Sequence, residues 1–452
     1  MSVALLLMVR DEEANLRANV GKWLSVSDVV VCGVDERTSD ESANALLEIM
    51  DVPRWVFYFR FEDFGQGRSL VLREAWRKFG RSTTHVLTID PDWDPVTLLK
   101  SDIDLMHDTF SFLVFDRNGM TTRNVNWLRR HEKGLKFKYR LHEVLEPSAN
   151  TSSKLLSSWR IYEREVPGRL TWHATSQSEI FFQNGTKVRG HSQSYERYLK
   201  DLKLLDLDLK DLGPEDPHTL YYLGATHLAA LEAMLGVGTH ARTPATDAHV
   251  DNAIFYLERR VRIQSSFDEM LWASMRWLAH AYDYFRNDPK EAETWYAKCH
   301  AYDPTRIDCL LFLASLHRRN KHYHQAYQAL LPLLETPFHR GQRAFGHNFY
   351  VYDCSLPVEA ALAILTIATP NDRLLLYFGG HTLFHKIDSA CQDPTRRYVS
   401  ATPNEVQEAR KAYHHLFTTQ HITWGLCVPR NDITVSEIHL LPMMRTLGLE
   451  TC

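Results

Sequence analysis

The chain is 452 residues long and 44% apolar, with a formal net charge of −4 and a pI near 6.6. That length suits two or three domains with sizeable cores, and the charge balance leaves no electrostatic footprint for nucleic acid. Seven scattered cysteines show neither metal-finger spacing nor a disulfide framework, and no window approaches the ~20 apolar residues of a membrane span.

The opening stretch, MSVALLLMVRDEE, is apolar for only a few residues and lacks a basic n-region. It reads as a first strand and not as a signal peptide. With cysteine usage that suits a reducing compartment, a cytoplasmic location is expected, where the sequons at Asn150 and Asn184 would be idle. Up to about residue 190, short β-rich runs alternate with amphipathic stretches. VALLLMV, DVVVCGV, WVFYFRF, HVLTID and FSFLVFD are near-continuous apolar runs, as expected of strands covered on both faces. Between them lie EEANLRANVGKWLS, DESANALLEIM and GRSLVLREAWRKFG, which read as helices. This order predicts an α/β domain with a mostly parallel, doubly wound, Rossmann-like sheet.

After residue 190 the strand signals fade and helix-forming sequence takes over. NAIFYLERR, EAETWYAKCHAYDP and HQAYQALLPLLETP each place a small residue before a bulky one. Ala292 and Ala326 lie 34 apart and Pro304 and Pro337 lie 33 apart, which matches the period of a tetratricopeptide repeat. An earlier helix pair around LYYLGATHLAALEAM and Ala253 fits less regularly, because GVGTHARTPATDAH inserts a loop. A generic helical bundle is the plainer alternative. Trp272, Trp277 and Trp295 read as core of this region and not as a binding platform. The chain thus divides into an α/β domain over 1–190, helical repeats over 191–340, and a mostly helical extension of unassigned role over 341–452.

Ligands of open α/β sheets sit at the carboxyl ends of the strands. Here those ends read RDEE (Arg10 to Glu13), VDERTSD (with Asp35, Arg37 and Asp40), FEDFGQGRS (with Asp63 and Arg68) and DPD (Asp90 and Asp92). Asp40, just before ESANALL, suits a helix cap. Capping alone does not explain acids after four successive strands. A nucleotide sugar would: a carboxylate accepts from the base or ribose, arginines bond phosphate oxygens, and the second acid of D-x-D holds a hard divalent cation.

The run LLLMVRDEEANLRANV, DVVVCGVDERTSDESANAL, FEDFGQGRSLVLREA and VLTIDPDW resembles glycosyltransferase family 2 enzymes of the GT-A fold. It is most similar to those with a tetratricopeptide region behind the catalytic domain, a group that includes peptide S-glycosyltransferases. Order and approximate spacing match over residues 1–100, RLHEVLEP resembles the family's His-Glu segment, and the repeats extend the match to about residue 340. Three departures stand out: Glu36 and Arg37 replace the favoured Thr-Gly, Trp93 stands where a Glu is common, and Asp11 occupies the usual Asn position.

The resemblance implies nucleotide contacts by Asp35, Arg68 and Asp90 and metal contact by Asp92. Arg10, Glu12 and Arg37, from the same strand-end loops, join the nucleotide-sugar contacts. It also implies Mn2+ or Mg2+, a nucleoside-diphosphate sugar donor, and inverting transfer to a glycan, peptide or protein, or small-molecule acceptor. A UDP-sugar is the expected donor, but with Arg37 in place of the usual residue the donor's identity is not carried over from the family. Glu143 is the expected general base. Its alternative is a loop-ordering carboxylate paired with Arg140. His142 is either an acceptor contact or a structural histidine. His173, in RLTWHATSQ, is either a third metal ligand or diphosphate donor, or one more structural histidine among 23. Lys187, Arg189, His191 and Arg197 read mainly as a solvated helix face. The repeats are expected to dock an acceptor or join two copies of the chain. Two other readings stand beside the enzyme: a catalytically inactive glycosyltransferase-like tetratricopeptide scaffold, and a nucleotidyltransferase, which lacks the Gly-rich, Lys-bearing loop expected after its first strand.

Overall fold

The computed structural model describes residues 1–49, 51–115, 121–146, 152–163, 179–181, 187–189, 192–235, 243–263, 268–306 and 308–322, with 325–326, 328–329 and 347–348. The chain divides into two compact units, the first running from Met1 to Ala281 and the second beginning at Tyr282.

The first unit opens with β1 (Val3–Val9), followed by the short helical segments α1 (Glu13–Asn15), a π turn (Leu16–Val20) and α2 (Gly21–Trp23). Then come β2 (Val29–Asp35), α3 (Ser42–Ile49), β3 (Arg54–Phe59), α4 (Phe64–Phe79), β4 (His85–Thr88) and β5 (Trp93–Thr97). A 3-10 turn (Lys100–Asp102) leads to β6 (Thr109–Phe115), β7 (Thr121–Arg130), β8 (Phe137–Lys138), β9 (Val144–Leu145), β10 (Ser153–Leu155), β11 (Arg160–Glu163), β12 (Glu179–Phe181) and β13 (Lys187–Arg189). All five apolar runs of the sequence are strands. The main sheet is ordered β3-β2-β1-β4-β7-β6-β11-β5, with β10 also paired to β6.

The β3-β2-β1-β4 half is parallel throughout, with Ala4 opposite Val29, Val3 opposite His85 and Val30 opposite Arg54. Polar β7 enters antiparallel between β4 and β6, so the sheet is mixed. β5, which contains Pro95, ends the order, where a missing N–H is tolerated. Strand periodicity explains why both faces are covered. Val3, Leu5, Leu7 and Val9 pack with Leu16, Val20, Trp23, Leu46 and Trp159 on one side. Ala4 and Leu6 pack with Val71, Leu72 and Ala75 of α4 on the other.

The helical stretch that follows comprises α5 (Ser192–Leu212), α6 (Pro217–Leu235), α7 (Pro244–Arg262) and α8 (Glu269–His280), packed in succession. α7 opens on a Thr243–Thr246 capping box followed by Pro244, and α8 on Asp268, which accepts from Met270 N. In the second unit, α9 (Pro289–Tyr302) packs on α10 (Asp308–Arg319). Ala253, Ala292 and Ala326 are all buried. An α/β region followed by helices is thus the architecture. No helix among the described residues is long and apolar enough to cross a membrane. His173, Pro337, the two sequons and nearly all of 341–452 lie outside the described residues.

Candidate functional site

The parallel strands β1 to β4 bring their carboxyl ends to one edge of the sheet, and with them the loops that carry most of the expected site residues. Asp35, the last residue of β2, is 2% exposed. It accepts from Arg37 N at 3.2 Å, Arg37 Nε at 3.1 Å and Arg37 Nη2 at 2.7 Å, while Arg10, just beyond β1, stands 3.6 Å away. Burial works to raise the Asp35 pKa, but the hydrogen bonds and charge of Arg37, with Arg10 behind them, hold it below the ordinary value. Arg37 also donates to Phe61 O at 3.1 Å, which ties the loop after β2 to the segment after β3. Asp11, at a left-handed φ of 51°, accepts from Ser39 N at 2.6 Å and joins the loops after β1 and β2. Glu12 turns inward: Asn15 donates to its carboxylate at 2.8 Å, and its own N–H donates to Ser42 Oγ at 2.8 Å.

A second cluster centres on Arg68, in the early turns of α4. Asp63 caps that helix by accepting from Gln66 N at 2.7 Å, which aims the first turns back at the strand ends. The buried Arg68 guanidinium donates from Nη2 to Asp90 Oδ1 at 2.5 Å and from Nε to Glu143 Oε1. It lies over the Trp127 ring, 4.4 Å from the centroid, and Trp127 in turn stacks on Trp93 at 5.4 Å and 19°. The Trp at position 93 is therefore part of a shelf on which Arg68 rests. One cation is divided between two carboxylates, and the consequence falls on the more buried of them. Burial raises the Glu143 pKa, the Arg68 charge opposes it, and the balance lies above the ordinary value. Asp90 keeps 30% of its side chain exposed. Asp92 sits partly buried in the turn between β4 and β5, where Trp93 N donates to Asp90 O at 3.1 Å.

Glu143 is delivered by the segment 138–143, which contains two left-handed non-glycine residues, Tyr139 (φ 71°) and His142 (φ 55°). Such conformations persist only where surrounding contacts enforce them. Phe64 N donates to Arg140 O at 3.1 Å on the α4 side. On the helical side, Arg140 bonds Asp208 and Asp211, Tyr139 stacks on His218 at 3.7 Å, and His142 stacks on Tyr222 at 3.8 Å. Leu141 packs among Leu202, Leu205 and Leu223.

The fold thus gathers Arg10, Asp35 and Arg37 into one group and Arg68, Asp90 and Glu143 into another, with Asp92 two residues from Asp90. Sequence reading passed over Trp127, which sits in a polar strand with no motif around it. Among the described residues no three or more His, Cys, Asp or Glu side chains gather into a ready-made metal cage.

No family model matches the chain, and no curated protein matches it. Among solved structures, the crystal structure of HddC from Yersinia pseudotuberculosis aligns with 36% of this chain and 93% of its own, at 10% identity and a TM-score of 0.24. A likeness that slight carries no argument about fold or activity.

Proposed function

We propose that the protein is an inverting glycosyltransferase that moves a sugar from a nucleoside-diphosphate donor to a hydroxyl-bearing acceptor. The observation that carries this reading is the buried Arg68, which joins the D-x-D residue Asp90 to Glu143 at the carboxyl edge of the parallel strands. Arg10 and Arg37 supply further positive charge at that edge, suited to phosphate oxygens.

In the reaction, the acceptor oxygen forms a bond to the anomeric carbon as the bond from that carbon to the diphosphate oxygen breaks. The electron pair leaves with the nucleoside diphosphate. Glu143 takes the acceptor proton, and a pKa raised by burial suits a base that works near neutral pH. Asp35 accepts from donor hydroxyl or base N–H groups when Arg37 swings toward phosphate. His142, with its ring held on Tyr222 beside the base, lines the acceptor side.

Asp92, with the exposed part of Asp90, would hold Mg2+ or Mn2+. Two carboxylates fit such an ion, because Mg2+ keeps several waters and takes remaining ligands from substrate phosphate. When bound, the ion supplies charge neutralisation on the leaving diphosphate. The test is thermal shift against UDP, GDP and dTDP, with and without Mn2+. A stabilisation by one nucleotide that needs Mn2+ in wild type and disappears in Asp92→Asn is expected. A nucleotide shift that is the same in both proteins would remove the metal assignment, and no shift with any nucleotide would favour the inactive scaffold.

A further inference from the structure

Glu143 sits 75 residues from Arg68 in sequence, just before the two-residue strand β9, which pairs with β8. On the other side, His142 is held by its stack on Tyr222 and by His218 Nε2 3.0 Å from its carbonyl oxygen, and Arg140, three residues before Glu143, is tied both to α5 and to α4. The Arg140 N–H donates to Asp208 Oδ2 at 2.9 Å, its Nη1 donates to Asp208 Oδ1 at 2.7 Å, and its Nη2 donates to Asp211 Oδ2 at 2.5 Å. Its carbonyl accepts from Phe64 N at the start of α4, the helix that carries Arg68. Both polar backbone groups of Arg140 are therefore committed, one to each side.

Asp208 is an unusual residue for its place. α5 buries Leu202 and Leu205 on one stripe, and the next position at that spacing is an acid, 2% exposed. A buried carboxylate on an apolar stripe costs stability unless strongly hydrogen-bonded, and here both oxygens are used on a single residue of the Glu143 segment. An apolar residue at 208 would serve α5 packing better.

We propose that Asp208 of α5 is a positioning residue for Glu143: by holding Arg140 through backbone and side chain together, it locks the two left-handed residues flanking Arg140-Leu141 and so presents Glu143 to Arg68. The helical layer thereby sets where the Glu143 carboxylate stands in the sheet site. The role given to Glu143 rests on the glycosyltransferase reading, but the geometry and its test do not.

The test uses the full chain labelled with 13C at the glutamate side-chain carboxyl, with the Glu143 resonance identified by its loss in Glu143→Gln. Titration gives the Glu143 midpoint in wild type, Asp208→Ala, Asp208→Asn and Asp208→Leu, each checked by circular dichroism and thermal melting. Asp208→Leu continues the apolar stripe and so guards against a helix that fails to pack. In Asp208→Ala and Asp208→Leu the segment loosens and water reaches Glu143, so its midpoint falls toward the ordinary glutamate range. Asp208→Asn, which keeps an oxygen acceptor for the Arg140 N–H, restores part of the shift. An unchanged midpoint in folded Asp208→Leu overturns the proposal, as does a full loss in Asp208→Asn equal to that in Asp208→Ala. If the midpoint moves as expected while no nucleotide binds, the positioning role stands and the glycosyltransferase reading falls.

Discussion

Arg68 concentrates the energetics of the site in one side chain. Removing it in Arg68→Ala leaves Asp90 and the buried Glu143 without their shared cation. Losing one partner of a buried pair costs on the order of 3 kcal/mol, less what Glu143 recovers by taking up a proton. Urea denaturation at pH 7 should show that loss, and adding Glu143→Gln should return part of it, because the two sites share one network. The buried histidines set a second residue-level expectation. Burial lowers His131 and His218 from 6.5 to about 4. The unfolded chain takes up protons through pH 6.5 while the folded chain waits until about pH 4, so their contribution is complete above 6.5 and is lost as pH falls toward 4. Each histidine removes about 1.4 kcal/mol per pH unit in that window. Urea midpoints at pH 7 and pH 5 measure the slope, and His131→Phe should flatten it.

At the scale of elements, the segment 138–143 and the start of α4 are built against each other. A Cβ at Gly65 would lie 2.0 Å from the Tyr139 carbonyl oxygen, so backbone must move to admit it. Gly65→Ala is expected to cost about 1–3 kcal/mol by overpacking and to lower the thermal midpoint. The same change displaces the residues that lead to Glu143, so binding at the site should weaken with stability. Unaltered melting in Gly65→Ala would mean that the α4 end and this segment yield to each other freely. The body of the helix survives such a change, because its buried face of Val71, Leu72 and Ala75 lies further along the helix.

For the whole molecule, the compact unit that begins at Met1 runs on to Ala281, past the change from strands to helices near residue 190. The contact is specific: Leu141 among Leu202, Leu205 and Leu223, and Arg140 on Asp208 and Asp211. A fragment ending at residue 191 loses these partners, whereas one ending at 281 keeps them. The shorter fragment should be cleaved between residues 136 and 146 under limited proteolysis and the longer one protected there. Equal protection in both would mean that the α/β region holds the Glu143 segment unaided.

The strands of the parallel half were legible because burial on both faces demands unbroken apolar runs, and VALLLMV or DVVVCGV admits few other states. Their order in the chain also places Arg10, Asp35, Arg68 and Asp90 on one edge, since parallel strands share a direction. β7, with TTRNVNWLRR, was not legible, because its polar sequence carries no run and its place comes from pairing β4 and β6. Nor could sequence show that one arginine serves both Asp90 and Glu143, or that Trp93 and Trp127 support it from below. Those contacts join segments that meet only when the sheet is assembled. Asp208 lies between these cases: an acid on the Leu202-Leu205 stripe marks a buried polar need in the sequence, but only the tertiary structure decides that Arg140 meets it, because the partner lies 68 residues away.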